Sequence, residues 1–350
     1  MNIKKIIFVV VLGLLANQLC AQEYIITKLG VKNDSTLLQT KAIQQVIDKA
    51  FAKGGGTIVI PKGTYLSGAL FFKKKTKLRL QEGAVLKGSD EIKNYPFIPS
   101  RMEGQSLKYF AALVNAYEVD GFTITGPGEI NGNGLKFWKQ FWAGRDSVAK
   151  IKKTLTNLEV SRPRLVFIWG SNNVKIQNVK FRNAGFWTTH LYQCNNVLIE
   201  NADIRSPFKP VKAPSTDGID IDVCKKVTIR NCYISVNDDA ICIKGGKGPT
   251  AHQMPENGMV EDVLIENCTI GNSHSNVTMK NIKVESVKFG EMNGNLPDTV
   301  TGFLFKDIEV TTKNPVLTNK YEDVKFENVM VNGAPLVVKK VNTAGKDTSQ

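Results

Sequence analysis

Three aspartates and one histidine are the residues best placed to move protons. Ser215-Thr216-Asp217-Gly218 precedes a short alternating apolar segment, and Asn237-Asp238-Asp239 follows it. Asp238 lies 21 residues after Asp217, and Asp239 lies 22 after. An adjacent aspartate pair on its own is most often a solvated turn. A separation of about one coil of a wound chain changes that reading, because stacked strands lie about 4.8 Å apart. Three carboxylates would then crowd one face of two neighbouring coils. Crowded carboxylates repel, and at least one holds its proton to higher pH. A protonated acid beside an ionised base is what cleavage of a glycosidic bond by water requires. His274 lies 35 residues after Asp239. The intervening stretch 245–258 contains Gly and Pro and reads as an outlooped insertion, which puts His274 about one coil beyond the acids. Asp220 and Asp222 alternate with Ile219, Ile221 and Val223 and read as structural. His190, near Trp187, also reads as structural, and His252 falls in the insertion with no role assigned.

The coil itself is legible in a repeat. Val174-Lys-Ile176-Gln-Asn178 aligns with Val197-Leu-Ile199-Glu-Asn201, Val227-Thr-Ile229-Arg-Asn231 and Val263-Leu-Ile265-Glu-Asn267. Val324-Lys-Phe326-Glu-Asn328 continues the series, and Ile282-Lys-Val284-Glu-Ser286 is a weaker copy. Each copy alternates with period two, so each is a short strand. A second apolar pair follows the Asn, as in Cys232 and Ile234. Steps of 23, 30 and 36 residues between the first four copies fit a stacked array. One copy cannot bury its apolar face; stacked copies bury a continuous column. The expected fold is all-β: a single right-handed parallel β-helix, with the asparagines stacked at one turn. Cys194, Cys224, Cys232 and Cys268 fill equivalent slots and read as small core rungs rather than disulfides.

Ile43, Val46, Ile47, Ala50 and Phe51 recur at helical spacing and predict an N-terminal helix that caps the first coil. Asp34 or Ser35 is positioned to start it, and Gly54 follows its end. Early strands are expected at 57–60, 77–80 and 122–125. With 42% hydrophobic residues the chain can bury a core, which excludes a mainly disordered protein. Residues 1–21 read as a secretory signal: Lys4 and Lys5 precede an apolar run too short to span a bilayer, with Ala21 at the cleavage point. The expected organisation is a signal at 1–21, one β-helix domain at 22–340 and a tail at 341–350, exported, monomeric and without a membrane span. The full chain carries 46 Lys+Arg against 32 Asp+Glu. Without Lys4 and Lys5 the balance is 44 minus 32, or +12, which suits a polyanionic partner. Phe137, Trp138, Phe141 and Trp142 cluster after Gly134. They would either stack on sugar rings or pack a loop onto the solenoid.

Together these residues resemble glycoside hydrolase family 28, the polygalacturonases and their relatives, from about Val31 to Gly333. Gly54-Gly-Gly-Thr-Ile-Val-Ile-Pro-Lys-Gly-Thr-Tyr65, Gly126-Pro-Gly-Glu-Ile-Asn-Gly132 and Arg162-Pro-Arg164 are the broader signals. Ser215-Thr-Asp-Gly-Ile-Asp-Ile-Asp222 followed by Asn237-Asp-Asp239 is the specific one. The resemblance implies that Asp238 is the general acid, that Asp217 and Asp239 hold and deprotonate the attacking water, and that His274 supports the acid. It implies inversion at the anomeric carbon without metal or cofactor, and pectic polysaccharide rather than nucleic acid as the partner. The sequence departs from the family pattern in three places. Ser215 replaces the usual Asn, serines flank His274 instead of glycines, and the Arg-Ile-Lys signature is absent, since no Arg follows Arg230. Lys280 or Lys283 is the expected stand-in for the missing carboxylate-binding cation. A relative that only binds pectic chains, and a pectate lyase on the same solenoid, are the alternative readings.

Overall fold

The computed structural model describes residues 22–151, 153, 157–247, 250–271, 282–292, 303–319 and 324–340. The chain winds through three long sheets, all parallel along their stacked coils, as a right-handed β-helix. The repeat alignment is the register of the first sheet. Val174, Val197, Val227 and Val263 are direct neighbours, as are Ile176, Ile199, Ile229 and Ile265. The four isoleucines are at most 1% exposed, because period-two alternation sends them all to the inside of the coil.

The asparagines form the expected ladder. Asn178, Asn201, Asn231 and Asn267 all have left-handed backbone, with φ between 53° and 59°. That conformation is costly for most side chains and tolerated by Asn. Asn201 Nδ2 donates to Asn178 Oδ1 at 2.9 Å, tying one coil to the next. Cys194, Cys224, Cys232 and Cys268 are buried and unbridged, as small apolar rungs should be.

Three features differ from the sequence expectation. The two last repeat copies do not extend the first sheet. Ile282–Met292 pairs with Thr269–Ile270, and Val324–Val331 pairs with Phe303–Asn319, both in the second sheet. Only 19 residues separate Val263 from Ile282, and the strands there lengthen to 11 and 17 residues. The capping helix begins later than expected, at Thr40, and runs to Ala52. Asp34 instead closes its own turn, accepting from the Thr36 and Leu37 amides, so it is spent before the helix starts. Ile43, Val46, Ile47 and Ala50 face the core, but Phe51 is 45% exposed under the Lys73 ammonium.

Two insertions had no repeat signal. Phe97–Met102 and Gln105–Phe110 form an antiparallel hairpin, and Leu135–Ala149 is a helix. The hairpin covers the outer face of the third sheet through Arg101, Met102 and Tyr109. On strand Ile219–Asp222, Ile219 and Ile221 enter the core while Asp220 and Asp222 point outward, yet all four are buried. The helix divides the aromatic cluster: Phe137, Trp138 and Phe141 pack inward, and Trp142 stays half-exposed.

Candidate active site

The Asp217 loop and the Asp238–Asp239 loop are hydrogen-bonded neighbours. The Gly218 amide donates to the Asp239 carbonyl at 2.9 Å, and Ile219 donates to the Ala240 carbonyl at 3.0 Å. Position 218 must be glycine, because a Cβ there would meet the Ala240 carbonyl at 2.5 Å. Asn237 fixes the second loop by donating to the Pro207 carbonyl at 2.7 Å. Ser215 accepts from Arg162 and donates to Asn157 Oδ1 at 2.7 Å, so the short hydroxyl makes the bonds its place demands. Asp238 and Asp239 are half-buried, and Asp217 is buried.

Asp217 is not alone beneath this surface. Asp220 lies beside it, and Lys244 sits between them, its Nζ 3.0 Å from Asp220 Oδ1 and 3.7 Å from Asp217 Oδ2. Burial, then the charge of Asp220, raises the Asp217 carboxyl well above the usual range; Lys244 opposes this and Asp238 and Asp239 add to it. Burial also pushes Asp220 up to about 6, against the charge and hydrogen bond of Lys244. Carboxylate oxygens of Asp217 and Asp220 lie within 4.8 Å of each other, and the Asp217 side chain works to lower Asp220. Both carboxyls are thus held towards their protonated forms, and the single ammonium opposes this. Burial alone would lower Lys244, but the charges of Asp220 and Asp217 help to raise it instead.

Asp217, Asp220 and Cys242 offer two carboxylate oxygens and a sulfur within 4.8 Å of one another. Such a trio has the ligand types for a cation. Here the Lys244 ammonium, 2.8 Å from the Cys242 sulfur, already supplies the positive charge to the same space.

Two residues further along the same strand, Asp222 meets a different environment. Arg101 grips it through Nε at 3.0 Å and Nη2 at 3.2 Å. His190 Nδ1 accepts from Arg164 at 2.6 Å, which leaves Nε2–H facing Asp222 at 3.5 Å. Burial, with Arg164 adding to it against the Asp222 hydrogen bond, lowers His190 to about 3. The imidazole is neutral. Arg162 lies between the Phe141 and Phe186 rings, 4.3 Å from each centroid, and donates to the Pro214 carbonyl at 2.7 Å.

The reading of Asp222 and His190 as structural fits this geometry; that of Asp220 does not, because its carboxylate is a member of the Asp217 cluster. Lys244 was also missed. The signal was present: Lys244 sits one coil above Asp222, and Cys242 one coil above Asp220, on the outward column. His274 and Lys280 lie outside the described residues, as does the 1–21 signal. The backbone of Lys283 lies in the second sheet, opposite Thr269, whereas Asp220 is on a strand of the third sheet and Asp217 just precedes it.

A family model for glycosyl hydrolases family 28 matches residues 53–350. A probable polygalacturonase of Vitis vinifera is 30% identical over 226 residues, covering 62% of this chain and 43% of the grape protein. An exopolygalacturonase of Zea mays is 25% identical over 346 residues, covering 84% and 78%. An exo-poly-alpha-D-galacturonosidase of Dickeya chrysanthemi is 28% identical over 266 residues, covering 65% and 43%. The chain thus spans less than half the length of the grape and Dickeya relatives. A solved family 28 exopolygalacturonase of Yersinia enterocolitica shares the fold, with a TM-score of 0.71 at 21% identity, covering 90% of this chain and 66% of that one. A Thermotoga maritima exopolygalacturonase gives 0.70 at 19%, covering 91% and 88%.

Proposed function

This chain belongs to glycosyl hydrolase family 28, and from that premise we propose that it is an exported enzyme that hydrolyses galacturonate-containing pectic polysaccharide with inversion. The observation that carries the reading is the direct backbone bond between the Asp217 and Asp239 loops, which stacks the acids on neighbouring coils. Asp238 opens into the cleft and donates its proton to the departing sugar oxygen. Asp217 and Asp239 hold the attacking water and take its proton, while Asp220 and Lys244 set the pH at which Asp217 is ionised. An inverting site needs acid and base roughly 6.5–9.5 Å apart to admit that water. The galacturonan-acting relatives in grape, maize and Dickeya support the substrate class, as does the basic balance of the chain. No helix among the described residues is long and apolar enough to cross a membrane.

Incubation with polygalacturonate tests this. New reducing ends, with the first-formed product of inverted anomeric configuration by NMR, are expected. Retention of configuration, or an ultraviolet-absorbing unsaturated end that disappears with chelator, would replace the mechanism. The absent Arg-Ile-Lys signature favours a second reading, a chain that binds pectic oligomers without cleaving them. Calorimetric binding with no new reducing ends is its signature.

A further inference from the structure

We infer that the cleft between helix Leu135–Ala149 and Asp238 is a uronate-carboxylate subsite, with Arg145 and Lys212 as its cations and Trp142 as its sugar platform. This rests on the hydrolase reading for its position beside the scissile bond, but not for its ligand chemistry. The cleft measures about 500 Å³ and runs from Asp238 and Asn237 to Trp142, Arg145, Lys153 and Lys212. That volume lies within the roughly 300–1,000 Å³ of small-molecule sites.

Three cations face one carboxylate in this cleft. Among the described residues none of the three forms an ion pair, although Lys73, Lys136, Lys225, Lys247 and Arg205 all do. The walls are fixed. Trp142 Nε1 donates to the Lys212 carbonyl at 2.7 Å, which links the helix to the opposite loop. Phe137, Trp138 and Phe141 anchor the helix from below, with the Arg162 guanidinium against Phe141. The Arg145 guanidinium lies over one face of the Trp142 ring, 5.2 Å from its centroid, so the fork and the ring stand together on one wall of the cleft. Aromatic rings present broad apolar faces, and the planar fork matches a carboxylate through two parallel hydrogen bonds. A sugar acid needs both. The cation that the family pattern supplies from the C-terminal coils is here supplied from the N-terminal half, on an inserted helix.

Calorimetry with trigalacturonate tests the subsite directly, in the Asp238→Asn background so that turnover does not consume the probe. Arg145→Met and Lys212→Met should each weaken binding by about tenfold, the scale of one charge-assisted hydrogen bond. The fully methyl-esterified trimer should bind weakly to the parent and be unaffected by either change. Arg145→Lys should recover only part of the loss. Unchanged affinity for the free acid in both variants, or equal binding of ester and acid, overturns the subsite. Polygalacturonate turnover by the otherwise wild-type chain separates the two claims. Turnover with unaltered KM in Arg145→Met removes the subsite and leaves the hydrolase. Arg145-dependent binding without any turnover removes the hydrolase and leaves the subsite.

Discussion

Asp220 and Asp222 stand two residues apart on one strand, both fully buried, and their carboxyls move in opposite directions. Burial raises both. Asp220 shares a single ammonium with Asp217 and ends near 6. Asp222 has His190 Nε2 facing it at 3.5 Å and the guanidinium of Arg101, which together outweigh burial and hold it below the usual carboxylate range. Two acids on one cation make a centre that exchanges protons. One acid gripped by an arginine makes a clamp that does not. The difference lies in the count and geometry of partners, not in depth.

The clamp should therefore govern stability. Arg101→Met leaves the Asp222 carboxylate buried and unpaired, and the expected loss is about 3–5 kcal/mol by denaturant unfolding. A loss below about 1 kcal/mol would mean the hairpin contributes little to this layer. His190 should impose a pH dependence. Its folded pKa is lowered, so the unfolded chain binds the extra proton, and stability falls as pH drops from about 6.5 towards about 3. Each pKa unit is worth about 1.4 kcal/mol, so the total is on the order of a few kcal/mol. Asp220 works the other way between about 4 and 6, because its folded pKa is raised and its contribution is lost as pH rises. Subtracting the curve of a His190→Gln variant isolates the histidine; an unchanged acid slope in that variant would contradict the assignment.

The exchanging centre should instead govern the pH profile. Lys244→Met removes the cation that favours ionised Asp217 and Asp220, so the acid limb of kcat should move upward by about one unit or more, as loss of a close opposite charge does. An unmoved limb would detach Lys244 from the reaction. The smallest effect belongs to the scaffold: Asn201→Ala should cost about 1–2 kcal/mol, since φ is 53° there and the ladder bond to Asn178 is lost.

The sequence displays what is periodic. Valine, isoleucine and asparagine columns recur at each coil, so their register could be aligned by eye. It hides what is inserted. The 97–110 hairpin carries no repeat, and without it the Ile-Asp-Ile-Asp alternation reads as a core face and a wet face. The hairpin makes the second face dry, so neither the Asp220 cluster nor the Arg101 partner of Asp222 is visible in the alternation alone. The aromatic run after Gly134 was legible as a cluster. Its division into three packed rings and one cleft residue depended on helical phase, which the residues alone left open.

One measurement bears most directly on the contrast between the Asp217–Asp220 pair and the clamped Asp222: turnover and unfolding free energy of Asp217→Asn, taken together. The isostere removes a group whose ionised form is costly to bury, so the chain should be as stable as the parent or more so. Turnover of polygalacturonate should fall by about 10²-fold or more, as loss of an acid/base group does. Turnover within about threefold of the parent, or destabilisation comparable to Arg101→Met, would contradict the division of this face into a reactive pair, Asp217 and Asp220, and a structural clamp at Asp222.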